Sequence, residues 1–529
     1  MTQTGTSLRR APSNLIGGEW IALTPGDGAE IVSRNPAHPS EVVWRGVANL
    51  SHVARAVHAA RAALPGWARL PRAARFAVLR RFQQIARARE PDMFALIRDE
   101  IGKVPWEARG EASILSAKVD ITLDESDIGG LHRVREFDFW ASPGRVGRCT
   151  WRPHGVMGVI GPFNFPAHLP NGHIVPALAM GNTVVFKPSD KAPGVGQLLA
   201  EFFDEALDAE GIPPLPGASR PGSGVLNLVQ GGADVAAALT THPDIDGILF
   251  TGSWPVGRRI LEANLDSPGR IVALELGGNN AAVVMPDADL RQAAIEIVRC
   301  AFNTTGQRCT CTRRAVIHKD IAGRLIPAMC KAASNLIVGD PRSSAGTPIF
   351  MGPIISGPAR DAVLESQSRF AHAGGRVLLE STAPTAADDG WYITPGILEV
   401  PRFSIDRGDA GCDVEVFGPL LRVTVVDSLE QAIAQSNATR YGLAASIFTK
   451  DAGTAEQFLF QARAGCVNVN TGTAGASSKL PFGGLGLSGN HRPAGSFSLD
   501  YCAYPVAGMV EHGDAATLAE GMRFEDSWL

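Results

Sequence analysis

Several features that would place this 529-residue chain at once are missing from it. No stretch approaches about 18 uncharged apolar residues, which leaves no candidate membrane-crossing helix. The opening MTQTGTSLRRAPSNLIGGEW carries two arginines but no apolar run with a small-residue cleavage site behind it, so a cytoplasmic protein is expected. Neither sign of charge is in excess: 49 Lys and Arg against 53 Asp and Glu give −4 at pH 7, interspersed without long runs. Such a balance offers no basic field, and neither nucleic acid nor a membrane surface is an expected partner. The eight cysteines are scattered from Cys149 to Cys502, which in a chain this long does not describe a disulfide framework. Cys309-Thr310-Cys311 is not a CxxC pair and no second Cys/His pair stands at zinc-ligand spacing, so no metal is expected. A GxGxxG fingerprint is also absent, which argues against an ordinary Rossmann phosphate loop.

What is present is the texture of a folded α/β protein, 45% apolar and 19% charged, long enough for two or three domains. Residues 51 to 115 read as helices: Val53, Val57, Ala60 and Leu64 share one face, Phe76, Leu79, Phe82 and Ile85 another, with Pro65 and Pro71 as breaks. These helices are expected to cover one side of a sheet. From residue 155 the pattern changes to short apolar runs, Val156 to Ile160, Thr183 to Phe186, Gly224 to Val229 and Ile248 to Phe250, each followed by a helical stretch. That alternation predicts parallel strands joined by crossover helices. Ile271 to Leu276 and Ala281 to Met285 bracket a glycine pair, after which a second α/β region runs to about residue 480. The stretch 212–223 is too rich in proline and glycine for helix or central strand and reads as a surface insertion. Residues 509–529 form an acidic tail.

Two segments carry the chemistry. Cys309 stands in Gly306-Gln307-Arg308-Cys309-Thr310, and Glu275 opens Glu275-Leu276-Gly277-Gly278 upstream. A thiol with a distant carboxylate suggests covalent catalysis with a separate base for a water step. With four more segments, Gly161-Pro162-Phe163-Asn164-Phe165-Pro166, Phe186-Lys187-Pro188-Ser189, Phe250-Thr251-Gly252-Ser253 and Glu415-Val416-Phe417-Gly418-Pro419, the chain resembles the aldehyde dehydrogenase superfamily from near residue 15 to near 510. Three longer runs, Asn164 to His173, Gln307 to Cys311 and Gly489 to Pro493 leading to Asp500 to Pro505, are similar to the branch that oxidises N-succinylglutamate 5-semialdehyde in arginine breakdown, as is Trp106-Glu107-Ala108-Arg109.

The resemblance implies two Rossmann-like parallel-sheet domains and a β oligomerisation arm: 14–140 with 161–277 for NAD, 278–484 for catalysis, and 141–160 with 485–508 for assembly into a homodimer or homotetramer. It implies Cys309 as nucleophile, Glu275 as the base that activates water, and Asn164 with the Cys309 N–H as oxyanion donors. Taken singly, a cysteine is more often a core residue, an Asn-Phe-Pro asparagine a turn former and a strand-end glutamate a solvated one. For NAD, the resemblance implies Lys187, Ser189 and Asp190 at the adenosine ribose, Gly252, Ser253, Gly257 and Leu276 beside the pyrophosphate helix, and Glu415 with Phe163 and Phe417 at the nicotinamide end. Asp190 departs from the glutamate usual in the family, and its charge is expected to repel a 2′-phosphate and so favour NAD over NADP.

For a carboxylated aldehyde substrate, Arg308 is the first candidate contact, followed by Leu169, His173, Thr310 and Gly472. Arg308 is also expected to favour the thiolate of Cys309, and Arg313, Arg314 and Arg492 to lie at the surface or in subunit contacts. Glutamate or succinate semialdehyde remains open as substrate, and so does a non-catalytic protein on the same scaffold.

Overall fold

The computed structural model describes residues 8–24, 28–210, 220, 222–343, 346, 348–384, 389–406, 408–513 and 518–529. Of the expected insertion at 212–223, only residues 220, 222 and 223 are among them.

The apolar runs become the strands of two seven-stranded sheets. In the first, Ile271–Glu275, Gly247–Thr251, Val156–Ile160, Thr183–Lys187 and Leu226–Leu228 lie side by side and parallel, continued by the antiparallel strands Ser13–Ile16 and Glu19–Ala22. These strands are apolar throughout because both faces are covered. Met157, Val159, Val184 and Phe186 enter one core with Trp67, Leu79, Phe82 and Leu115. Val156, Ile160, Val185 and Ile248 enter the other with Val53, Val57 and Ala60 of the helix Ser51–Arg69. That helix does not break at Pro65, which is exposed and lies in its last turns, where the missing N–H removes a single bond.

The second sheet runs Arg376–Leu379, Gly396–Glu399, Leu420–Val426, Thr312–His318, Asn280–Val284, Ala444–Phe448 and Cys466–Val469, antiparallel only at the first pair. All seven residues of Thr312–His318 are buried, so Arg313 and Arg314 are core residues at 2% and 1% exposure, not surface ones. Each is satisfied by backbone carbonyls: Arg313 donates to Gly278, Gly306, Arg308 and Val416, and Arg314 to Asn279, Gln435 and Ser436. They fasten turns at the end of the sheet from which the nucleophile loop leaves.

A third, three-stranded antiparallel sheet joins Phe137–Ser142, Arg145–Pro153 and Ala503–Glu511. The segment 141–160 expected in the arm is therefore divided. Arg145–Pro153 belongs to this small sheet, whereas Val156–Ile160 is a central strand of the first large one, because its five buried apolar residues are covered on both faces.

In the first sheet the earliest parallel strand, Val156–Ile160, sits between Thr183–Lys187 and Gly247–Thr251. The chain builds outward from it on one side to Leu226–Leu228 and then crosses back to Gly247–Thr251 on the other, which opens a crevice beyond the strands' carboxyl ends. Gly161 to Asn164, Gly252 and Ser253, and Glu275 all emerge there, facing the loop that carries Cys309.

Candidate active site

A cavity of about 380 Å³ lies between the two large sheets, and Cys309 and Glu275 line it together. Glu275 ends the strand Ile271–Glu275, and its backbone bridges to Gly489. Asn490 extends that pairing, accepting from Leu274 N–H at 3.0 Å and donating to the Val272 carbonyl at 2.8 Å. The Gly489 to Pro493 run thus fixes the edge strand that carries the carboxylate. Burial pushes the Glu275 carboxyl well above its ordinary value, opposed only by the Ala494 N–H, and Oε2 has no hydrogen-bond partner among the described residues. An orphaned, buried carboxyl oxygen in a cavity wall is placed to take a proton from a water molecule there.

The loop around Cys309 is held through its carbonyls. Asn164 Nδ2 donates to Gln307 O at 2.9 Å, Arg313 Nη2 to Arg308 O at 2.9 Å, and Asn280 Nδ2 to Cys309 O at 2.7 Å and Cys311 O at 2.8 Å. The approach is strained: Thr304 and Thr305 adopt φ of +50° and +54°, followed by Gly306 at +71°. A side chain on Gly306 would strike Gly418 at 2.2 Å. Left-handed threonines cost about 1–2 kcal/mol each and persist only where their surroundings hold them. Glu107 holds them here, its Oε1 accepting from Thr304 N, Thr304 Oγ1 and Arg308 Nη2 at 2.7, 2.7 and 2.8 Å. The Cys309 N–H has no acceptor among the described residues. It can serve a developing oxyanion, as can the second amide hydrogen of Asn164.

The thiol of Cys309 is pushed up to about 12, first by burial, then by the charges of Glu415 and Glu275; Arg313 opposes them. The cation acting on Cys309 is therefore Arg313. Arg308 acts instead on the neighbouring thiols of Cys311 and Cys300, and it is tied back by its pairing with Glu107 and by an Nε bond to Thr304 Oγ1 at 2.7 Å. Arg308 still lines the cavity, as do Leu169, His173 and Thr310. Both ring nitrogens of His173 are engaged, Nδ1 with Tyr501 Oη at 2.9 Å and Nε2 with Thr251 Oγ1 at 3.3 Å, so it presents a ring face rather than a donor. Gly472 lies off the cavity wall: its N–H donates to Glu296 and a Cβ there would meet Cys300 Sγ at 2.3 Å. Ala474, Ala476, Ser477 and Ser478 line the cavity in its place.

The dinucleotide candidates gather along the same crevice. Phe163, Glu415 and Phe417 line a neighbouring cavity of about 280 Å³, with the Phe163 and Phe417 rings edge to face at 5.9 Å. Gly277 has no side chain because Glu415 Oε2 occupies that space, 1.8 Å from where a Cβ would lie. Glu415 accepts from Gly278 N–H at 3.0 Å, and burial raises its carboxyl against the pull of Arg313. Lys187 closes the strand Thr183–Lys187, buried and lowered to about 8 by desolvation, with Asp190 and Asp234 as opposing charges. Ser189 is half-buried and Asp190 exposed. Gly252 follows the strand Gly247–Thr251, and Ser253 precedes the helix Trp254–Glu262 without capping it through its side chain. That helix packs so closely on Leu276 that a Cβ on Gly257 would lie 2.9 Å from it. A helix N-terminus bare of side-chain caps, a buried ammonium and a buried carboxylate together fit the pyrophosphate and the two riboses of a dinucleotide.

The helical reading of 51 to 115 takes in most of the helix Pro105–Thr122 but misses that Glu107, Glu111 and Lys118 on it line the cavity. Their spacing, four and seven residues, places three charges on one helical face, and that was the available signal. Glu111 pairs with buried Lys103 at 2.6 Å and accepts from the N–H of Ala167 and His168. Among the described residues the group best spaced for a metal, His58, His242 and Asp244, lies at the opposite ends of the strands from Cys309. No described helix is long and apolar enough to cross a membrane.

A thiol and an orphaned carboxyl facing one cavity between two parallel sheets define a covalent dehydrogenase site, and the chain belongs to the aldehyde dehydrogenase family, whose model matches residues 23–505. It is 42% identical over 494 residues to N-succinylglutamate 5-semialdehyde dehydrogenase of Sphingopyxis alaskensis, covering 93% of this chain and 97% of the relative. It is 40% identical over 516 residues to the enzyme of that name from Escherichia coli O157:H7, covering 97% and 98%. Among solved structures it superposes with TM-score 0.84 and 28% identity on 1-pyrroline-5-carboxylate dehydrogenase from Thermus with bound NAD, covering 95% and 93%.

Proposed function

We propose that this chain oxidises N-succinyl-L-glutamate 5-semialdehyde to N-succinyl-L-glutamate with NAD, in arginine catabolism. The observation that carries the reading is the shared cavity of Cys309 and Glu275 in a chain 40–42% identical, nearly end to end, to the named relatives.

Cys309 gives up its proton to water in the cavity and its thiolate attacks the aldehyde carbon, and the oxyanion forms against the Cys309 N–H and Asn164. When bound, NAD supplies the acceptor for the hydride that leaves that carbon. Lys187, Ser189 and Asp190 would hold its adenosine ribose, Gly252, Ser253 and Gly257 would admit its pyrophosphate, and Glu415, with Phe163 and Phe417 beside it, would hold its nicotinamide end. The acyl group then sits on Cys309 as a thioester. Glu275 takes a proton from water, the hydroxide displaces the thiolate, and the carboxylic acid leaves.

The first large sheet forms the NAD-binding domain and the second the catalytic domain, with the small antiparallel sheet as the arm of a homodimer or homotetramer. Supporting that assembly, Phe137, Phe139 and Trp140 on its outer strand are 53%, 55% and 71% exposed, an apolar edge that a second copy would cover.

The test is NADH formation with N-succinylglutamate semialdehyde, glutamate semialdehyde and succinate semialdehyde, compared by kcat/KM. A preference for the acylated compound of about tenfold or more, roughly 1.4 kcal/mol in transition-state binding, is expected. Equal or reversed preference moves the substrate to another carboxylated semialdehyde.

A further inference from the structure

Charges on the cavity face of the helix Pro105–Thr122 are not equivalent. Glu107 is matched by Arg308 and Glu111 by Lys103. Lys118, on the same face and 2% exposed, forms no ion pair among the described residues. Its Nζ donates to the Gly495 carbonyl at 2.7 Å and to Ser498 Oγ at 3.2 Å, both uncharged acceptors. An ammonium has three donors, so one remains.

The titratable groups acting with Lys118 do not supply the missing charge. Burial lowers His168 to about 4 and His173 to about 3, and it raises the thiol of Cys502, so all three are neutral near pH 7. Lys118 itself is lowered to about 8 and is still mostly protonated there. A buried cation without a counter-charge is costly unless an anion joins it. This one stands in the wall of the cavity that Cys309 also lines. Arg308, the cation nearest Cys309 in sequence, is already paired with Glu107.

We propose that Lys118 binds a carboxylate of the substrate and sets the preference for acidic over uncharged aldehydes. This deepens the substrate reading above and rests on it. Gly495 and Ser498 aim the ammonium, and the substrate carboxylate accepts its third N–H.

The experiment compares kcat/KM for N-succinyl-L-glutamate 5-semialdehyde with that for hexanal in the wild-type enzyme and in Lys118→Gln, Lys118→Met and Lys118→Arg. Gln keeps an amide donor for the Gly495 and Ser498 contacts without the charge, and Met is a second uncharged variant should Gln not fold. Removing the charge is expected to cut the acidic-to-uncharged ratio by about tenfold or more, chiefly through KM, with Arg restoring most of it. An equal loss on both aldehydes would make Lys118 only a strut for the Gly495 to Ser498 turn and overturn the proposal. A wild-type enzyme indifferent to the carboxylates would instead overturn the substrate reading, and this inference with it.

Discussion

Two of the three carboxylates that line the cavity live by opposite rules. Glu107 accepts three hydrogen bonds through one oxygen and pairs with Arg308. Glu275 has an oxygen with no hydrogen-bond partner among the described residues and a carboxyl raised well above its ordinary value by burial. The first is engaged at Oε1 by three donors and holds shape, clamping the left-handed threonines that lead to the nucleophile. The second is left unsatisfied where a water molecule can reach it. Sites of chemistry are where a fold leaves polar groups unpaired, and the paired groups around them keep that arrangement in place.

The comparison breaks most decisively at the nucleophile. Cys309→Ala is expected to abolish aldehyde oxidation, a loss of at least about 10⁴-fold in kcat/KM followed by NADH absorbance. Residual turnover near the wild-type level would remove Cys309 from the reaction. Glu275→Gln is expected to leave the first burst of NADH intact while slowing steady turnover by about 10²–10⁴-fold, because only the water step loses its base.

Glu107→Ala sharpens the contrast from the other side. It removes a clamp and leaves Arg308 without its partner, so a loss of about 3–5 kcal/mol in denaturant-derived stability is expected, with kcat falling more than KM. A variant as stable as the wild type would mean that the loop holds itself.

The pH dependence follows from the sign of the Glu275 shift. The folded carboxyl titrates above 4.5, so activity is expected to rise with pH as the carboxylate forms. The stability this group contributes runs the other way. It is fully present below the unfolded value and is lost as pH rises through the folded one. A rate profile that is flat above pH 4.5 in the wild type, or unchanged in Glu275→Gln, would contradict the assignment.

The smallest effect concerns the cofactor. Asp190→Ala is expected to narrow the NAD over NADP preference by a few-fold in kcat/KM, since an exposed carboxylate exerts a screened repulsion.

The strands were legible because buried parallel strands are continuous apolar runs, as in Val156–Ile160 and Thr183–Lys187. The segments carrying Cys309, Glu275 and Asn164 were legible as motifs. What was not legible depends on long-range pairing. Glu107 meets Arg308 across 201 positions, a contact that no periodicity announces. Arg313 and Arg314 look like surface residues until the strand Thr312–His318 is seen to be buried at every position. Gly472 and the seryl pair Ser477 and Ser478 share one loop, and only its path decides which of them reaches the cavity.

The most direct measurement is the intact mass of Glu275→Gln after incubation with NAD and N-succinylglutamate semialdehyde, followed by peptide mapping. Accumulation of an acyl adduct on Cys309, absent from the Cys309→Ala, Glu275→Gln double variant, is the expected result. Full turnover by Glu275→Gln with no adduct on Cys309 would contradict the division of labour between thiol and carboxylate on which the account stands.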